Sequence, residues 1–520
     1  MTTKTVWLTV KRVILVILTI LVSITVLSSL LSNLNQPQVQ SRLELYQTNI
    51  VLQASALPQE ENPAKETFLG EKPFENAQKQ YEEAVEAEQK NLKQLETQLA
   101  ELEQQTSLEA ASELGVTVAN PQQAETLKAA IARSQELLTR YDVLLGLLQA
   151  QQDRIPVAQQ LWQDAVDSEV ADNRNTAAIL QGIWRSPPRV EETAETILDT
   201  NLEGWFRDRA LARLYTVQNR QAALEQLQTQ QQQQAEAAFI KLAIIGGIPA
   251  LGGAIGVGLL IFIIIQGVLK KEKSLIARNA DLTWDVPWDA EIIWQVLIVG
   301  FFFVSQIFLP LFFLLLARLI GLDTSSFDLR QQVIFILISY LSMAGLGLLV
   351  LYISLKPYKP LPQLWFNFKL FDNWLWWGIG GYLVAVPLVV IVSILNQQIW
   401  QGQGGSNPIL FLALQAQDTL ALAIFFTTAS IAAPIFEEII FRGFLLPSLT
   451  RYLPVWGAIL LSSVIFAIAH LSPSEILPLT VLGIVLGTTY TRSRNLLSSM
   501  LLHSLWNSGT LLSLFILGSR

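Results

Sequence analysis

The chain has 520 residues, of which 51% are hydrophobic and only 15% charged, and it contains no cysteine. With a mean hydropathy of +0.39, it is too apolar for a purely soluble or disordered chain, and the missing cysteines exclude disulfide scaffolds, Fe–S clusters, thiolate nucleophiles and cysteine-type zinc sites. Charge is uneven: residues 38–236 hold 31 acidic and 17 basic residues, a net of −14, while the rest of the chain is net +6. An acidic block of that size argues against nucleic acid as a partner.

The N-terminus carries Lys4, Lys11 and Arg12 and then an uncharged run over 13–31. Those 19 residues suffice to cross a bilayer, and no Ala-x-Ala cleavage signal follows, so 1–32 reads as an uncleaved signal anchor with its basic side in the cytoplasm. Residues 33–237 read as an acidic, soluble, helical domain. Apolar heptad positions Tyr81, Val85, Leu92, Leu95, Leu99 and Leu102 are interrupted only by Glu88. A second series runs Ala124, Leu127, Ile131, Ser134, Leu138, Tyr141, Leu145 and Leu148. With a Gly/Pro turn over 115–121 between them, the two series predict an antiparallel coiled-coil hairpin. Short amphipathic helices follow over 155–230, without an alignable 34-residue repeat. Both a solvated spacer and a domain that docks a protein partner fit this block.

From residue 238 to 520 the chain reads as a polytopic membrane domain. Spans are expected near 240–269, 292–319, 332–355, 373–398, 419–442, 454–471, 476–491 and 496–517, nine with the anchor. One set of loops carries Lys270, Lys271, Lys273, Arg278, Lys356, Lys359, Lys369, Arg442, Arg451, Arg492 and Arg494; the other carries Arg318 and Arg330. The positive-inside rule puts the N-terminus in the cytoplasm and both the acidic domain and the C-terminus on the far side. The glycine-rich stretch 402–407 reads as a loose loop, and the tryptophans at 284, 288, 294, 365, 374, 376 and 377 as an interfacial belt. The fold class is all-α: a multi-pass helical protein of a plasma membrane or a thylakoid- or plastid-type membrane.

Of the acids outside the acidic block, only Glu437 and Glu438 lie inside an apolar segment, and the two histidines of the whole chain, His470 and His503, both fall in the last 51 residues. An intramembrane carboxylate costs several kcal/mol unless paired or protonated, so the pair points to function. Glu438 and Arg442 stand at i, i+4 in the favourable order for an ion pair. Glu437 is rotated by about 100° from Glu438. It is therefore left without that cation, which suits a general base. His503 and Asn507, also i, i+4, offer two donors to one point, as a developing oxyanion requires. His470 supplies a second proton handler. The set suits attack of water on a carbonyl.

Glu437-Glu438-x-x-x-Arg442 running into Gly443, then Phe466-x-x-x-His470, then His503-x-x-x-Asn507 resemble the three motifs of the CPBP family, the CAAX-processing and bacteriocin-processing (abortive-infection-like) intramembrane glutamic endopeptidases. The match lies within the last 110 residues, giving a catalytic core at about 410–517. The resemblance implies an all-helical membrane peptidase in which Glu437 and His470 activate water while His503 and Asn507 hold the oxyanion. Glu438 and Arg442 support the site, and no metal or other cofactor is implied. The substrate would be a membrane-associated protein or peptide reached through the lipid bilayer. Two other readings stay open: a noncatalytic scaffold, receptor or proton-relaying transporter, and a metal-dependent protease using the two Glu and two His as ligands. Orientation is tested first: a reporter fused after Glu236 is expected outside the cytoplasm and one after Lys273 inside. Both reporters on the same side would sink the topology.

Overall fold

The computed structural model describes residues 3–34, 36, 38–57, 67–111, 121–168, 171–362, 364–406, 412 and 418–518. Among the described residues every regular element is helical and no strand is present. Most of the expected turn at 115–121, Asn407 and the stretch 413–417 lie outside them. The protein is a polytopic all-α membrane protein. Among the described residues, eight helices are long and apolar enough to cross a bilayer: Leu8–Asn33, Gln221–Lys273, Ala290–Ile320, Leu329–Tyr358, Trp374–Trp400, Thr419–Leu449, Pro473–Ser493 and Leu496–Gly518. The segment expected to span over 454–471 is instead the helix Val455–Ile468, of 14 residues. It stops where Leu471 enters the left-handed region at φ 57°.

The chain divides into two compact units, Gln40–Gly247 and Met1–Val39 with Ile248–Arg520. In the first, the helices Pro73–Ala111 and Pro121–Gln151 run antiparallel. Gln152 Nε2 donates to Gln78, Ser134 Oγ to Glu88, and Lys128 pairs with Glu103. Glu88 and Ser134 are the polar interruptions of the two apolar series, and they meet each other. The helices that follow gather around Trp162, Leu147, Leu180, Ile183, Leu198 and Leu214, all 0% exposed.

In the second unit the N-terminal helix Thr3–Asn33 packs its Leu15, Val22 and Val26 into the same apolar core as Phe301, Phe436, Phe441 and Phe466. Its basic end is anchored by Lys11 and Arg12, both bonded to Glu291 at 2.9 Å. The loops group into two layers. At one, Arg494 Nη2 donates to Thr283 O, Asn495 Nδ2 to Lys369 O, and Arg451 Nη1 to Trp288 O. At the other, residues 33–38, 402–405 and 472–474 bond to one another. Gly405 N donates to Gln36 O, Gln38 N to Gly402 O, and Ser474 Oγ to Gly405 O. The glycine-rich stretch is thus tied rather than loose. Gly402, Gly404 and Gly405 take φ values of 82°, 98° and 66°, which a side chain would resist.

Arg442, expected at a span end, lies inside a span that continues to Leu449. Neighbouring helices approach that span closely. A Cβ on Gly347 would stand 2.8 Å from Gly300 O and 2.9 Å from the Phe436 ring, whereas one on Gly345 would meet nothing within 4 Å. Small residues let membrane helices pack backbone to backbone. Gly347→Val is therefore expected to lower thermal stability in detergent by about 1–3 kcal/mol through overpacking. Gly345→Val, two residues away, should leave it unchanged.

Candidate active site

The paired carboxylates sit on a short α-helical piece, Ala433–Glu438, flanked by the more widely wound π-helical stretches Thr428–Ala432 and Ile439–Leu445. Such π turns disturb the i→i+4 ladder and concentrate at functional sites. Ala433 N reaches back five residues to Thr428 O. Within this stretch the carbonyls of Ala429 and Ser430 receive side chains from the last helix: Asn507 Nδ2 donates to Ala429 O at 2.7 Å and Ser504 Oγ to Ser430 O at 2.5 Å. The two bonds fix the register of the helix Leu496–Gly518 against the carboxylates, and His503 stands in the same stretch of that helix.

Glu438 and Arg442 are both fully buried and paired, Nη1 to Oε1, at 2.8 Å. Arg442 also donates to Gly483 O at 3.3 Å, and its guanidinium lies 4.4 Å above the Phe466 ring. The same carboxylate oxygen faces His503 Nδ1 at 2.9 Å. Glu438 only accepts when ionised, so His503 Nδ1 carries the proton and Nε2 is turned to the other side. There Nε2 stands 3.9 Å from Glu437 Oε2, too far for a hydrogen bond and close enough to share one small oxygen between them.

Glu437 makes no bond to Arg442. Its Oε1 accepts from Tyr340 Oη at 3.0 Å, and its Oε2 has no hydrogen-bond partner among the described residues. Tyr340 comes from the helix Leu329–Leu355. It also lines a cavity of about 510 Å³ walled by Leu309, Pro310, Phe313, Phe335 and Met343.

His470 lies just beyond the end of Val455–Ile468, its Nδ1 facing Phe466 O at 2.8 Å. That bond requires the proton on Nδ1, since a carbonyl oxygen only accepts. Its position is held from the adjoining loop layer, where Asn33 Nδ2 donates to Leu471 O at 2.9 Å and Asn396 Nδ2 to Ser474 O at 2.6 Å. Both imidazoles pack edge-to-face against Phe466, at 4.8 Å for His470 and 5.7 Å for His503.

The fold therefore gathers Glu437, Glu438, Arg442 and His503 directly, and joins His470 to them through Phe466. Asn507 is held to the carboxylate-bearing segment by its amide, which retains one further N–H. Two partners escaped the sequence. Tyr340 lies about 100 residues away, signalled only by a hydroxyl in an apolar span, and the second ligand of Glu438, His503, lies beyond any local spacing.

These features define an integral membrane protein with a carboxylate–histidine site enclosed by its helices. A family model described as "Type II CAAX prenyl endopeptidase Rce1-like" matches residues 419–509, which hold all three motifs. The resemblance to the CAAX proteases stands over this C-terminal segment, and it supports proteolysis within the membrane. The chain is 26% identical over 223 residues, 41% of its length and 87% of the relative's, to the membrane-embedded CAAX protease MroQ of Staphylococcus aureus (strain USA300). It is 28% identical over 132 residues, 25% of its length and 53% of the relative's, to the putative membrane peptidase YdiL of Bacillus subtilis (strain 168). No solved structure matches it.

Arg442→Ala leaves Glu438 buried without its cation, which is expected to cost on the order of 3–5 kcal/mol, as for other broken buried pairs. Folded yield in membranes should fall sharply. Glu437→Gln, isosteric and not part of that pair, should keep its yield. Equal yields for the two variants would remove the structural role assigned to Arg442.

Proposed function

We propose that this chain is a glutamic-type intramembrane endopeptidase acting on a membrane-associated protein or peptide. Glu437 takes a proton from water as the water oxygen attacks the peptide carbonyl. His503 Nε2, carrying a proton, and the remaining N–H of Asn507 donate to the oxygen that becomes negative. As the tetrahedral adduct collapses, the C–N bond breaks and the leaving amine takes up a proton from the Glu437–His470 side of the site. The observation that carries this reading is the pinning of His503. Glu438 holds Nδ1, so Nε2 can only address the space beside the unpartnered oxygen of Glu437.

Glu438 then acts as an orienting group. With Arg442 neutralising it, it holds His503 Nδ1 and so fixes the direction in which Nε2 points. Tyr340 plays the matching part for Glu437. An apolar portion of the substrate seated in the 510 Å³ cavity would lie against Tyr340 and so beside the base. A lipid-modified C-terminal segment, the substrate class in the family description, suits such walls.

The orientation proposed from the basic loops places His470 and the 33–38, 402–405 and 472–474 layer on the far side, with the Arg494 layer in the cytoplasm. The grouping of loops supports this, since these hydrogen bonds among the described residues join loops assigned to the same side. Residues 33–237 are then an extracytoplasmic domain available to a protein partner.

Catalysis of this kind needs no metal, because a carboxylate can itself take the proton from water. Glu437→Gln is expected to abolish cleavage with membrane insertion intact. Asn507→Ala should lower kcat about 10²–10³-fold with little change in KM. Prolonged EDTA or phenanthroline should leave turnover unchanged. Loss on chelation with recovery on adding Zn²⁺ would convert the histidines into ligands. Activity surviving Glu437→Gln would favour a scaffold instead.

A further inference from the structure

At the end of the helix Ile476–Ser493 opposite His470, the structure assembles positive charge that no described carboxylate answers. Arg494 follows that helix in the left-handed region at φ 53°, a conformation a non-glycine residue keeps only when its surroundings enforce it. They do so at three points. Its N–H bonds Tyr490 O at 2.8 Å, its carbonyl accepts from Asn367 Nδ2 at 2.6 Å, and its Nη2 donates to Thr283 O at 3.2 Å. Its guanidinium lies 3.7 Å over the ring of Trp284, and Trp284 in turn stacks on Tyr490 at 5.6 Å. The Arg494 fork is thus rigidly held, with Nη1 buried and without a partner among the described residues.

Arg492 lies close enough to Arg278 and to Arg494 for like charges to repel. No described carboxylate pairs with any of the three. Arg492 Nε is likewise buried and unpartnered, and so are both polar atoms of Asn279, a side chain that is 0% exposed. Asn279 and Arg278 share the short turn Ala277–Asp281, which packs against the helix carrying Arg492. An unpartnered buried polar atom costs about 1–3 kcal/mol. Three of the four are donors, Arg494 Nη1, Arg492 Nε and Asn279 Nδ2, and beside three guanidinium groups that no described carboxylate pairs with they call for an anion with several acceptor oxygens.

We propose that Arg278, Arg492 and Arg494, with the Asn279 amide, form a binding site for the phosphate of an anionic phospholipid. Arg494 is the first residue beyond the span Pro473–Ser493, and Trp284 lies beneath it. That is the depth at which lipid phosphates and interfacial aromatic rings occur. Planar guanidinium forks suit phosphate oxygens, and anionic headgroups gather where basic residues flank a span. His470 and the site lie at opposite ends of an 18-residue helix, about 27 Å apart along its axis. This helix separates the phosphate site from the histidine end of the active site, so the proposal stands whether or not the chain is a protease.

The test uses the full-length Glu437→Gln protein in neutral detergent, so that no turnover intervenes. Short-chain phosphatidylglycerol, short-chain phosphatidylcholine and inorganic phosphate are titrated while thermal unfolding is followed. Phosphatidylglycerol should raise the midpoint saturably, with phosphatidylcholine and phosphate giving little. Added Arg494→Gln should weaken the apparent affinity about tenfold or more. Arg278→Gln, an exposed position safe for folding, should weaken it several-fold. Arg318→Gln, in the last turn of the helix Leu309–Ile320, should change nothing. Equal responses to phosphatidylglycerol and phosphatidylcholine, or an unaltered affinity in both the Arg494 and Arg278 variants, would overturn the site. A full response to inorganic phosphate would overturn the lipid as its source, and displacement of the lipid by a peptide with a free C-terminal carboxylate would reassign the cluster to a chain terminus.

Discussion

The buried contact of Glu438 with Arg442 and His503 is the interaction on which the rest of the membrane unit depends. A carboxylate and a guanidinium, both withdrawn from water, are tolerable only if they are paired and hydrogen-bonded, and here only Arg442 Nε and Glu438 Oε2 are left without a partner among the described residues. Arg442 is answered by Glu438, Gly483 O and the face of Phe466, which draws in the helices 455–468 and 476–493. Glu438 is answered by Arg442 and by His503, which draws in the last helix. One ion pair therefore sets the mutual placement of four segments, and the two histidines and the free carboxylate take their positions from it.

The membrane spans were legible because a long apolar run with no polar face cannot be buried along one side of a soluble fold and is stable in hydrocarbon. The Glu438–Arg442 pair was legible because i, i+4 spacing is a local rule. The hairpin of the acidic unit was legible for the same reason, down to the interruptions at Glu88 and Ser134, whose pairing across the hairpin shows why both could be polar. Length was less legible than hydropathy: residues 454–471 are apolar throughout, yet the helix ends at Ile468 because the following residues turn to bond the 402–405 loop. What stayed hidden is tertiary. Nothing in 329–355 says that Tyr340 reaches Glu437, and nothing local says that Asn507 spends one N–H on a carbonyl in a π-wound turn. Those partners depend on which helices become neighbours.

Phe466 illustrates why motif spacing alone understates a site. It stands four residues before His470 and bonds its ring nitrogen through the backbone. Its ring meanwhile bears a guanidinium on its face and two imidazole edges around it. An aromatic quadrupole attracts cations to its face. The residue is thus an electrostatic spacer between the buried arginine and the two imidazole rings.

The short helix Val455–Ile468 has a mechanical consequence for the surrounding lipid. Fourteen residues rise only about 21 Å, against a hydrocarbon layer of about 30 Å. Such a mismatch is met by local thinning of the bilayer. A bilayer that meets this helix by thinning would be dimpled beside it, its polar surface drawn toward His470. For the proteolysis proposed above, a substrate segment approaching along that flank would cross less hydrocarbon than beside the longer described spans, and water would have the same shortened path.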